Sequence, residues 1–73
     1  MEKIDLHGIK HEFVSRRLDN FFWEMIQKNV IEIEVITGVS SRMKEIVKET
    51  CCDYNFNVIE HPTNYGCLIV RIN

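Results

Sequence analysis

Apolar residues recur along this chain in a rhythm that changes several times. Lys3-Ile4-Asp5-Leu6 opens it as a short strand, ended by Gly8. Over residues 10–29, Val14, Leu18, Phe21, Phe22, Met25 and Ile26 return every three or four positions, which predicts a helix with one buried stripe. Residues 31–37 (IEIEVIT) then alternate, rich in β-branched side chains, as a half-buried strand does. Gly38 breaks that strand, and Ser40 or Ser41 can cap a second helix running to about residue 52. Met43, Ile46 and Val47 face inward on it, with Cys51 at the margin. Residues 56–60 form a third strand, 61–66 (HPTNYG) a turn, and 67–72 (CLIVRI) a fourth strand, the most apolar of all.

The order is βαβαββ, an α/β chain expected to fold as an α+β two-layer sandwich. Each helix joins strands that can lie parallel, and such crossovers are right-handed. Both helices then cover one sheet face. The apolar last strand belongs inside the sheet, which gives a four-stranded mixed sheet of order 1-2-4-3. Glu32 and Glu34 alternate outward, as expected for a partly exposed second face. In open α/β sheets ligands gather at the carboxyl ends of parallel strands, beside helix N-termini. Here that edge collects Asp5 and His7, the loop from Thr37 to Arg42, and the hairpin turn with His61 and Tyr65.

Length and charge narrow the possibilities. With 73 residues the chain holds one domain, spanning 1–73. A net charge of −2 argues against nucleic-acid binding through a broad basic face, while leaving room for a local positive cluster. Cys51 and Cys52 are adjacent and Cys67 stands alone, so the three cysteines make neither a CxxC pair nor a disulfide framework. Inert thiols in a reducing compartment follow. Charges at Glu2, Lys3 and Asp5 do not suit a leader, and no apolar run suits a membrane, so a cytoplasmic location without membrane contact is expected.

Asp5 and His7 lie two apart on a strand, which would point both side chains to one side. A carboxylate beside an imidazole can orient the ring and stabilise its cationic form, as an acid–base pair for phosphodiester cleavage requires. The two could equally ligate a divalent ion such as Mg or Mn. Taken alone, the pair serves just as well as a loop cap and a polar strand end. Thr37-Gly38-Val39-Ser40-Ser41 leads into a helix, where backbone N–H groups and the helix dipole attract an anion. Arg42 would add a phosphate contact, although ordinary capping uses the same donors. His61 sits at the same edge and can assist His7, or simply be solvated. Tyr65 can stack on a base or pack over its turn. His7 and His11 are four apart, but Gly8 lies between them, so they make no HExxH zinc site. Trp23 falls nearly opposite the apolar stripe, a candidate protein contact, whereas Arg16 and Arg17 suit a solvated helix face.

Ile4-Asp5-Leu6-His7-Gly8, an amphipathic helix, then Ile36-Thr37-Gly38 opening a helix with Met43-Lys44-Glu45-Ile46-Val47 together resemble the Smr (small MutS-related) domain. The resemblance covers essentially the whole chain. It implies a free-standing Smr-like domain with the βαβαββ fold of the C-terminal domain of translation initiation factor 3. Smr domains are nucleases or nucleic-acid-binding modules, some nicking DNA and others cleaving messenger RNA on ribosomes. By that resemblance Asp5 and His7 would be catalytic, and Gly38, Ser40, Ser41, Arg42, His61 and Tyr65 would line the nucleic-acid edge. The chain departs from the family pattern in carrying Ser40 at the second loop glycine, Val39 at a usually basic position, and Lys10 where a capping Ser or Thr is usual. Two functions follow as expectations: an endonuclease favouring RNA over DNA, or a non-catalytic adaptor that binds nucleic acid, a ribosome or a protein.

Overall fold

In the computed structural model, which describes residues 1–72, the elements are β1 (Glu2–Asp5), α1 (His11–Gln27), β2 (Glu32–Ile36), α2 (Ser41–Asp53), β3 (Asn57–Glu60) and β4 (Cys67–Arg71). The sheet order is β1-β2-β4-β3, as the apolarity of the last strand requires. β1 runs parallel to β2 with Ile4 opposite Val35, while β4 is antiparallel to both β2 and β3.

Alternation sorts the sheet residues. Ile4, Ile33, Val35, Leu68 and Val70 point beneath the helices and are buried. They meet Val14, Leu18, Phe21, Phe22 and Met25 of α1 and Met43, Val47 and Cys51 of α2. Ile26, placed on the buried stripe by its spacing, is 40% exposed because it stands in the last turn of α1, at the rim of the core. Lys3 and Asp5 share the uncovered sheet face with Glu34 and Ile36.

Both helices end earlier or later than spacing alone predicts, for one reason. Asn29 and Asn55 adopt φ of 59° and 61° just beyond the C-caps. In each case the following N–H reaches back to the helix, Val30 to the Met25 carbonyl (3.0 Å) and Phe56 to the Cys51 carbonyl (2.9 Å). These are Schellman endings with asparagine in the left-handed position. Phe22, Tyr54 and Phe56 form an aromatic cluster there, with ring centroids 5.1 Å apart. All of this lies at the end of the sheet opposite Gly8 and Gly38. Among the described residues, no helix is long and apolar enough to cross a membrane.

Candidate nucleic-acid interface

β1 leaves the sheet abruptly. The buried Leu6 still donates its N–H to the Ile36 carbonyl at 2.8 Å, and Gly8 then turns the chain with φ of 83°. Asp5 Oδ1 accepts the His7 backbone N–H at 2.9 Å. The expectation that both side chains project together from a continuing strand is therefore not met. Asp5 stays on the uncovered sheet face and its carboxylate fixes the turn, while the His7 ring swings to the helix side. There it lies against Gly38: a Cβ on Gly38 would stand 3.3 Å from His7 Cδ2.

Gly38 has φ of 71°, which side chains rarely tolerate, so the ring's position and the backbone's shape exclude a side chain for separate reasons. Thr37 and Gly38 both donate their N–H groups to the Gly66 carbonyl, at 2.9 and 3.0 Å. Thr37 Oγ1 adds bonds to the carbonyls of Gly38 (2.8 Å) and Gly66 (3.2 Å). Gly38 thus spends its N–H inside the fold rather than offering it to an anion. Its role at this edge is to let three loops close on one another.

Past Gly38, Ser40 caps α2: its Oγ accepts the Met43 N–H at 3.1 Å. Lys10 stands at the equivalent position of α1 and makes no side-chain cap. The Phe13 N–H donates to the Lys10 carbonyl at 2.9 Å, and the N–H groups of His11 and Glu12 before it have no capping side chain at Lys10.

Two clefts flank the start of α2. The first, about 690 Å³, is lined by His7, Gly8, Lys10, His11, Gly38 and Ser40, with neighbours from both helix starts. The second, about 550 Å³, is lined by Ser41, Lys44, Glu45, Lys48, Glu60, His61 and Tyr65. Residues that the sequence assigns to one edge are thus divided. Gly38 and Ser40 join His7, whereas Ser41, His61 and Tyr65 lie across the helix start. Arg42 turns instead toward Glu45 and Glu49 on the exposed side of α2.

Lys44 escapes sequence reasoning altogether. It is 7% exposed, because its stem packs beside Met43 and Val47. Its Nζ reaches Glu60 Oε1 at 3.2 Å and the Tyr65 carbonyl, and it sits 3.6 Å from the Tyr65 ring centroid. Glu60 also accepts from Lys48 at 3.1 Å. The hydrogen bonds from Lys48 and then Lys44 hold the Glu60 carboxyl below its ordinary range. The only hint in the sequence is the pairing of a lysine with a carboxylate on the helix-facing side of β3.

His61 organises the hairpin loop. Its Nδ1 accepts the backbone N–H groups of Thr63 (3.2 Å) and Asn64 (3.0 Å), which places the ring hydrogen on Nε2. Asn64 Oδ1 in turn accepts the Gly66 N–H at 3.0 Å. Elsewhere Trp23 is 66% exposed, on the side of α1 that its spacing predicts. Among the described residues, no group of three or more His, Cys, Asp and Glu side chains lies together so as to hold a metal ion. With Asp5 on the uncovered sheet face and the His7 ring on the helix side, the two side chains do not come together as a ligand pair for a divalent ion.

No family model matches the chain, and no curated protein sequence does. Among solved structures, the Smr domain of MutS2 from Thermus thermophilus matches 100% of this chain with 99% of its own length, at a TM-score of 0.90 and 13% identity. At that identity the likeness speaks for architecture alone. The chain has the fold of the Smr domain of MutS2.

Proposed function

We propose that this chain binds nucleic acid in the cleft between the two helix starts and cleaves phosphodiester bonds there, with RNA favoured over DNA. One observation carries this: both helix N-termini, Lys10 and the His7 imidazole open into the same cleft. Helix N-termini attract phosphate through unpaired N–H groups and the positive end of the dipole. His7 supplies a group able to take or give a proton beside that phosphate. Lys10 stands beside Glu12 in that cleft, so the pull on phosphate would come from the helix starts, which suits a chain of net charge −2 without a broad basic face.

In this scheme His7 exchanges the proton of an RNA 2′-hydroxyl, whose attack on the adjacent phosphate needs no outside nucleophile. Asp5 acts as a positioning residue, since its carboxylate holds the His7 backbone rather than the ring. Ser40 and the start of α2 would contact the phosphate, and Arg42 would require release from Glu45 to join them. A divalent ion held by His7 and the bound phosphate would instead supply an activated water, and the ends would differ.

Purified chain incubated with single-stranded RNA tests the reading. Cyclic phosphate ends that survive chelation support the proton-transfer route, and 5′-phosphate ends lost on chelation support the metal route. Cleavage unchanged in the Asp5→Ala/His7→Ala double variant would refute catalysis at this cleft. Binding without cleavage would favour the adaptor reading, which the side-chain-bearing Val39-Ser40 loop and the exposed Trp23 support. In that case a ribosome or protein contact would run through Trp23.

A further inference from the structure

The second cleft has a chemistry unlike the first, and the residue that shapes it is Lys44. Tyr65 is 68% exposed in a hairpin loop, a setting in which aromatic side chains ordinarily move freely. Here it is pinned. Lys44 Nζ bonds the Tyr65 carbonyl and covers one face of the ring at 3.6 Å. His61 Nδ1 and Asn64 Oδ1 tie the loop from inside, and the Gly66 carbonyl anchors it to Thr37 and Gly38. The result is a fixed aromatic shelf with its second face turned to solvent.

Charge says what suits the shelf. Lys44 and Lys48 both pair with Glu60, while Glu45 at the cleft's margin turns to Arg42, so both cations of the cleft are already engaged. With its lysines held by Glu60 and the Tyr65 ring, this cleft offers less to a phosphate than to a flat neutral group. An ammonium held under the ring draws π density toward itself, leaving the outer face better matched to an electron-rich heterocycle. His61 presents an Nε2–H donor at the rim.

We propose that the second cleft seats an unpaired nucleobase stacked on Tyr65, with Lys44 as the positioning residue, so that the chain selects single-stranded or locally unpaired nucleic acid. This rests on the nucleic-acid reading above and deepens it. The first cleft takes a phosphate, and the base beside that phosphate lies across the start of α2. A base inside a duplex has both faces covered by its neighbours and cannot be seated without leaving the stack.

The test uses a short oligoadenylate RNA carrying one 2-aminopurine, whose fluorescence reports stacking, and a blunt duplex of matching length. Tyr65→Ala should weaken binding of the single strand by about 5- to 150-fold and abolish the fluorescence change. Tyr65→Phe should retain both. Lys44→Met, which keeps the buried stem, should weaken single-strand binding and add nothing in a Tyr65→Ala background. Duplex affinity should be the same in all five proteins, the unsubstituted chain included, and thermal midpoints confirm that each is folded. Single-strand binding that falls with Lys10→Glu yet is indifferent to Tyr65→Ala would overturn the shelf and leave the phosphate cleft standing. Failure of both strand and duplex to bind the unsubstituted chain would overturn the nucleic-acid reading, and the shelf with it.

Discussion

Replacing Gly38 by alanine should expose how the site is built. The backbone there has φ of 71°, and a left-handed conformation costs alanine about 1–2 kcal/mol relative to glycine. The new Cβ would also stand 3.3 Å from His7 Cδ2, so the ring must give by a few tenths of an ångström. Moving a side chain off its preferred rotamer costs about 0.5–1.5 kcal/mol. Stiffening the unfolded chain returns about 0.4–1 kcal/mol. The expected net loss is about 0.5–3 kcal/mol, read from urea unfolding midpoints at constant slope. The His7 share separates in a double-mutant cycle: in a His7→Ala background, Gly38→Ala should cost about 0.5–1.5 kcal/mol less. Equal costs in both backgrounds, within about 0.3 kcal/mol, would refute the packing of His7 on Gly38. A Gly38→Ala chain as stable as the original would refute the left-handed backbone as well.

Two further predictions concern ionisable groups away from that junction. Burial pushes the Cys51 thiol up to about 12, and burial followed by the Glu34 hydrogen bond raises that of Cys67. Cys52 is exposed, unlike the other two. A thiol reagent at about pH 8 should therefore label one cysteine per chain quickly and the other two only as the chain unfolds; two fast sites would contradict the burial. Glu60 is held below its ordinary value of 4.5, so its contribution is complete above that value and lost as the pH falls through the lowered one. Because its side chain is half exposed, screening limits the effect to about 1 kcal/mol. Glu60→Gln should flatten the acid limb of the stability–pH curve, and an unchanged limb would rule the Lys48–Glu60–Lys44 group out as its source.

Strand order was legible because burial leaves a period in the sequence, and residues 67–72 are too apolar for an edge. Helix ends were less so: asparagine in the left-handed position closes α1 at Gln27, and nothing in the apolar spacing marks it. Within the site, the edge itself followed from topology. The relation of Asp5 to His7 did not, because it assumed a strand that continued past Leu6. A side-chain bond to the very next amide but one turned the chain instead. Lys44 was illegible for a different reason. Periodicity counts a lysine as solvated, whereas its burial depends on Glu60 and Tyr65, 16 and 21 positions downstream. Contacts of that span leave no local pattern to read.

The Gly66 carbonyl, accepting two amides from the second loop, bears on how such chains diverge. Main-chain bonds are indifferent to which side chains surround them. A junction made this way constrains substitution only where a Cβ is excluded or a left-handed backbone is required, and elsewhere it lets the sequence drift. Architecture can then persist at 13% identity, as it does between this chain and the MutS2 domain. What this junction asks of a sequence is little more than a missing Cβ at Gly38, and the positions around that vacancy are left open to side chains of other chemistry.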